Sequence, residues 1–215
     1  MKISYAITVC NESRDLYSLV SFLKKVKDCD DEINILIDTV HVTNAVRGVI
    51  THFKDDVVVH ERAFDGNFSA HRNYHLEKCS GDYIFIIDPD EMPQEALLKN
   101  MKKMISETGA DLIMVPRINI CPGFTEEWLK KCNFHVNQTG WINWPDYICR
   151  IFKNGLKYGN EVHENIVGAE KRVVLQDNPQ VAVWHIKSVE KQDNRWDSDG
   201  NFVTPGDGNL YDTLM

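Results

Sequence analysis

Residues 83–91 read YIFIIDPDE, a run of strand-forming apolar side chains that stops at Asp88, Pro89, Asp90 and Glu91. Burying an ionised carboxylate without a partner costs on the order of several kcal/mol, so these acidic residues cannot follow the apolar run into an interior. The strand must end at the carboxyl edge of its sheet, where open α/β sheets bind ligands. Carboxylates gathered there repel one another, and a divalent cation removes the repulsion. Oxygen ligands suit Mg²⁺ or Mn²⁺ better than Zn²⁺. A structural reading competes: an Asx-turn leading into a helix over residues 94–106 that Pro93 opens.

The elements that must position these side chains alternate in type. Residues 3–9 form a buried strand on their β-branched content. Leu16, Leu19, Val20, Leu23 and Val26 then fall on one helical face, with lysines toward its end. Residues 33–37 predict a second strand ending at Asp38, residues 42–53 a helix, and residues 57–60 a third, short strand. A helix over residues 67–79 stops at Ser80-Gly81, read as its C-cap. The fourth strand spans 83–87, and the helix over 94–106 leads to a fifth at 111–115. This order implies an α/β fold with a mostly parallel, Rossmann-like sheet and right-handed crossovers. After Pro116, residues 117–145 are rich in Trp, Asn, Cys and Pro and lack a clean period. Strand-like runs return at 147–152 and 181–185, a short helix follows at 188–196, and residues 199–215 read as a flexible tail.

Composition narrows the function classes. The 215 residues are 43% hydrophobic and 26% charged, as in ordinary soluble domains. A net charge of −8 argues against general nucleic-acid binding. No apolar run approaches the roughly 20 residues that span a bilayer, and the opening MKISYAITVCNES lacks the features of a signal peptide. Six cysteines, widely spaced and without a CxxC pair, read as free thiols of a reducing compartment, hence a cytoplasmic protein. Neither GxGxxG after the first strand nor a P-loop is present. His71 and His75 share a helical face, but nothing nearby completes a zinc set. Oligomeric state is not written in these features.

The strand ends Asn11-Glu12, Asp38 and Asp88-Pro89-Asp90 should meet at one sheet edge. The ordered set TVCNE (8–12), Asp38, FSAHRN (68–73) and GDYIFIIDPDE (81–91) resembles family 2 glycosyltransferases of the GT-A fold. WPDYICRIFKNG (144–155) and VHEN (162–165) are similar to a bacterial and phage branch of that family, and the resemblance spans residues 3–190. It implies a single domain over residues 1–198, with a nucleotide-sugar-binding half (1–115) and an acceptor-side half (116–198). It also implies metal-dependent, inverting transfer of a hexose from a UDP-sugar to an acceptor hydroxyl on a glycan. Asp90 would bind Mn²⁺ or Mg²⁺, Asp88 the metal's surroundings or the ribose, and His185, with His163 as its rival, a further metal position. Asp38 and Arg72 would hold the uracil edge, while Thr8, Val9, Asn11, Glu12 and Pro89 would line the nucleotide.

Transfer needs a base for the acceptor's proton. The candidates are Glu164, which follows the glycine-containing GLKYG (155–159) as bases of this family do, and Asp146. Trp141 and Trp144 could stack on an acceptor sugar. A haloacid-dehalogenase-type phosphohydrolase would carry its Asp-x-Asp on the first strand rather than the fourth. A nucleotidyltransferase would need a basic, Gly-rich loop after strand one. A non-catalytic nucleotide-sugar or carbohydrate-binding module stays open.

Overall fold

The computed structural model describes residues 1–159 and 165–193. The chain runs β1 (Ile3–Val9), α1 (Ser13–Val26), β2 (Glu32–Asp38), α2 (Asn44–His52), β3 (Val58–Arg62), α3 (Phe68–Leu76) and β4 (Tyr83–Ile87). It continues through β5 (Glu91–Pro93), α4 (Glu95–Thr108), β6 (Leu112–Ile120), α5 (Glu126–Cys132) and β7 (Ile142–Lys153). The last elements are β8 (Lys157–Gly159), β9 (Asn165–Val167), β10 (Arg172–Val174), β11 (Val183–Ile186) and α6 (Val189–Asp193).

Nine strands form one mixed, mostly parallel sheet in the order β3-β2-β1-β4-β7-β6-β11-β5, with β10 also on β6. β7 runs antiparallel between β4 and β6, and β5 runs antiparallel to β11; the remaining pairs of this sheet are parallel. Alternation along the strands divides the core between the two faces. Ile3, Tyr5, Ile7 and Val9 of β1 join Phe85 and Ile87 of β4 against α1 and α4, which supply Leu16, Leu19, Leu23, Leu97 and Met101. Ala6, Ile84 and Ile86 point the other way, toward Leu76 of α3 and Tyr158 and Ile166 of the small β8–β9 ribbon. Each fully buried aliphatic or aromatic side chain contributes about 1.5–3 kcal/mol. Among the described residues no helix is long and apolar enough to cross a membrane.

Several expected boundaries move, each for a local reason. Pro93 does not open a helix; it ends β5, and Gln94 is the N-cap of α4. That helix runs on to Thr108 and ends where Gly109 adopts a left-handed conformation at φ 58°. Ser80-Gly81 is not the C-cap of α3, which closes at Glu77. Gly81 is instead pressed on β1: a Cβ there would lie 2.6 Å from the Ser4 backbone nitrogen. The region 117–145 is more regular than its composition suggests. β6 continues through Pro116 to Ile120. Pro116 falls between the register of β10, which ends at Met114, and that of β11, which begins at Arg117, so a missing N–H there is tolerated. Helix α5 begins at a Thr125 hydroxyl that accepts the Trp128 N–H at 3.1 Å, and it packs Trp128 and Leu129 on Cys121 and Ile142.

A buried polar trio crosses the α3 face. The Asn34 side-chain amide donates to the Lys78 carbonyl at 3.0 Å, which leaves its oxygen to accept from His75 Nε2 at 3.2 Å. His75 Nδ1 then accepts the Thr8 hydroxyl at 3.2 Å. Burial pushes the His75 imidazole down to about 3, so it is neutral in the fold.

Candidate active site

Because β6 and β11 run in the same direction as β1, β2 and β4, their carboxyl ends share one edge with the start of β7. Asn11-Glu12, Asp38, Asp88–Asp90, Asn119, Asp146 and His185 therefore sit along that edge. Asp88 and Glu91 close the turn between β4 and β5: the Glu91 N–H donates to the Asp88 carbonyl at 2.9 Å, and the Asp88 N–H to Glu91 Oε2 at 3.2 Å. Glu91 is 0% exposed, and two arginines compensate it. Arg150 contacts it directly, and Arg117 Nη1 lies 3.3 Å from Oε1. Arg150 Nη2 also donates to Asp88 Oδ2 at 2.6 Å, while Arg72 Nη2 lies 3.6 Å from Asp88 Oδ1. Enclosure opposes ionisation of Asp88, but these guanidiniums more than offset it and hold its carboxyl well below the usual carboxylate range.

Asp90 keeps different company. Its Oδ2 lies 3.7 Å from His185 Nε2 and 3.5 Å from Lys191 Nζ. Burial raises its proton affinity, yet His185, Lys191 and Lys187 reverse the balance and keep it ionised. Among the described residues no three His, Cys, Asp or Glu side chains converge on a complete metal set. Asp90 and His185 do present a carboxylate and an imidazole to one space, and the Lys191 ammonium already stands there as a cation. That donor set fits an ion such as Mn²⁺ or Mg²⁺, which takes one or two protein groups and fills its remaining positions with substrate phosphates and water. Asp88, held by two guanidiniums, is better suited to orienting than to ligation.

On the nucleoside side, Asp38 accepts the backbone N–H groups of Val40 at 2.9 Å and Phe64 at 3.0 Å and pairs with His41. Arg72 lies against Asp88 rather than Asp38, with its guanidinium 5.4 Å from the centre of the Tyr158 ring. Glu12 caps no helix N–H with its side chain; it accepts the Cys10 and Asn11 N–H groups, each at 3.1 Å, and so shapes the turn after β1. The side chain of Thr8 is turned to His75, Val9 is 2% exposed, and Asn11 and Pro89 are also buried. One oxygen of Asp146 is heavily engaged: its Oδ2 accepts Arg117 Nε at 2.9 Å, Arg117 Nη2 at 2.7 Å and Asn119 Nδ2 at 2.8 Å. Glu164 and His163 lie outside the described residues. Trp141 and Trp144 form an edge-to-face pair, with ring centres 5.1 Å apart. Arg117, Asn119, Arg150, Lys187 and Lys191 complete the site although the sequence reading gave them no role. Arg150 carried a signal, as a charge inside the apolar run YICRIF that needed partners wherever it was buried.

Lys191 Nζ also lies 3.4 Å from Asp15, whose side chain is 2% exposed. Burial pushes that carboxyl up to about 7 despite the lysine. Below its unfolded pKa of 6.5, His75 takes up a proton on unfolding, so stability falls with falling pH toward the folded value of about 3. Asp15 acts in the opposite sense, because its raised folded pKa makes the fold gain stability as pH drops from about 7 toward its unfolded value of 3.8. Each slope is about 1.4 kcal/mol per pH unit. In urea titrations between pH 6.5 and 5, Asp15→Asn should therefore lose stability relative to the parent by about 1.4 kcal/mol per unit. Parallel profiles would refute this opposition.

The mixed, mostly parallel nine-strand sheet flanked by helices matches GT-A structures. The 1–349 crystal structure of TarS from S. aureus in complex with UDP-GlcNAc superposes with a TM-score of 0.59 at 14% identity, covering 87% of this chain and 59% of that one. The longer crystal structure of S. aureus TarS matches at 0.60 and 15% identity, covering 90% of this chain and 38% of that chain. A glucosyl-3-phosphoglycerate synthase from Mycobacterium tuberculosis, in complex with Mn²⁺, UDP and glucosyl-3-phosphoglycerate, scores 0.43 at 18% identity over 55% of this chain and 44% of that one. No curated protein sequence matches the chain. The model of the family described as glycosyl transferase family 2 matches residues 4–166. The chain belongs to that family, a class of nucleotide-sugar-dependent glycosyltransferases.

Proposed function

We propose that this chain moves a hexose from a UDP-sugar to an acceptor hydroxyl with inversion, and that it depends on a divalent cation. The observation that carries the reading is the approach of His185 to Asp90 at the sheet edge, 3.7 Å apart, beside an Asp88 already neutralised by arginine. Asp90 and His185 are the residues that would hold Mn²⁺ or Mg²⁺. When bound, the ion neutralises charge that develops on the departing diphosphate. Arg72 and Asp88 orient the donor, and the buried turn from Val9 to Glu12, with Asp38, forms the nucleoside wall. The choice of uridine draws support from the TarS 1–349 structures of the same fold, which were crystallised with UDP-GlcNAc and with UDP.

Inversion requires a single base facing the acceptor. Glu164 is our choice, since it follows GLKYG and Asp146 is committed to Arg117 and Asn119. The paired indoles of Trp141 and Trp144 suit a sugar-bearing acceptor. The chain spans 59–60% of two of the TarS 1–349 structures it matches, so substrates are proposed for this chain alone.

The decisive experiment is a thermal-unfolding screen of nucleotide-sugars with and without Mn²⁺, followed by measurement of released UDP. A UDP-sugar at about a hundred times its Kd should add about 2.7 kcal/mol of apparent stability, and only with the metal present. No response to any nucleotide-sugar would sink the reading. A response without UDP release, with or without acceptor, would favour a binding module. Glu164→Gln should keep the donor-induced stabilisation and lose about a hundredfold in transfer; lost donor binding would make Glu164 structural.

A further inference from the structure

We infer that Asn119 and Asp146 form a positioning relay that holds His185 as its Nδ1–H tautomer and turns Nε2 toward Asp90. The relay is laid across three neighbouring strands by register alone. His185 of β11 is the parallel partner of Asn119 in β6, and Arg117 of β6 is the antiparallel partner of Asp146 in β7. An ionised carboxylate only accepts hydrogen bonds. Asp146 Oδ2 is met by both Arg117 nitrogens and, at 2.8 Å, by the Asn119 side chain, so the amide must present its NH₂ group there. That choice sends the amide oxygen to His185 Nδ1, 2.8 Å away. An amide oxygen cannot donate, so Nδ1 must carry the hydrogen whether the ring is neutral or charged.

With Nδ1 occupied, Nε2 is the atom left to face Asp90 at 3.7 Å; it donates to that carboxylate while protonated and offers its lone pair to a cation that displaces the proton. Histidines that bind metals are set in this way, with the second ring nitrogen donating to an acceptor that fixes tautomer and ring angle. Asp146 thereby acts at one remove from the chemistry, through Asn119, and Arg117 anchors it to the buried Glu91. Free neutral imidazole favours the opposite, Nε2–H form, so the relay predicts a spectroscopic signature that packing alone would not produce. The metal role of Nε2 rests on the function proposed above; the tautomer does not.

The test is nitrogen-15 NMR of histidine-labelled, metal-free protein at a pH where His185 is neutral, with Mn²⁺ binding followed by electron paramagnetic resonance. The parent should show His185 as Nδ1–H, and Asn119→Leu should shift it toward Nε2–H. Mn²⁺ affinity in Asn119→Leu should fall about 10–100-fold, and His185→Ala should fall at least as far. An Nε2–H parent spectrum overturns the inference even if the leucine variant fails to fold. Full Mn²⁺ affinity in Asn119→Leu beside a loss in His185→Ala overturns the relay but spares the metal reading. No loss in His185→Ala overturns the metal reading and leaves the relay to be judged by the tautomer.

Discussion

Asp90→Ala is expected to lower sugar transfer by about a thousandfold or more, equivalent to about 4 kcal/mol of transition-state stabilisation. The side chain meets His185, and the Lys191 ammonium stands 3.5 Å from it. Without the carboxylate, neither a divalent ion nor the lysine is held where the diphosphate departs. The fold should survive, because Lys191 keeps Asp15 as a partner and Asp88 loses a like-charged neighbour. Mn²⁺-dependent stabilisation by a UDP-sugar should disappear along with turnover. Turnover within tenfold of the parent would remove Asp90 from the mechanism.

The second large effect is on stability. Arg150 is 6% exposed and joins Asp88 at 2.6 Å to a Glu91 that is wholly buried. Replacing Arg150 with methionine fills much of the same volume but leaves the Glu91 charge with the 3.3 Å contact from Arg117 and the Asp88 N–H at 3.2 Å. Removing one partner from a buried pair costs about 3–5 kcal/mol, because the surviving charge stays desolvated. A shift of that size should appear in the urea midpoint with an unchanged m-value. Coupling Arg150→Met with Glu91→Leu should recover much of the loss, since no buried charge is then left alone. A cost below about 1 kcal/mol for the single variant would mean that water reaches Glu91.

The parallel half of the sheet was legible because burial on both faces leaves continuous apolar runs such as residues 83–87, each punctuated by a polar turn. The clustering of Asp38, Asp88 and Asp90 at one edge followed from strand direction alone. What stayed hidden was long-range pairing. β5 is only Glu91–Pro93 and exists because β11 lies alongside it, which nothing local to EMP announces. The region from 117 to 145 looked irregular because composition says nothing about a strand that starts at Ile142 within a Trp- and Pro-rich stretch. Helix α5 did carry a local signal, Thr125 followed by two glutamates, which is the pattern of an N-cap and an acidic first turn. The arginines were hardest to assign, since Arg117 and Arg150 meet Glu91 across 26 and 59 residues of chain.

The insertion of β7 between β4 and β6 has a consequence for biosynthesis. Until Lys153 has left the ribosome, the two halves of the sheet cannot be joined, and β4 and β6 each present an open row of backbone donors and acceptors. A nascent chain ending near Ile120 therefore exposes two adhesive apolar ribbons, and it is this incomplete chain, rather than the finished enzyme, that should need chaperone protection.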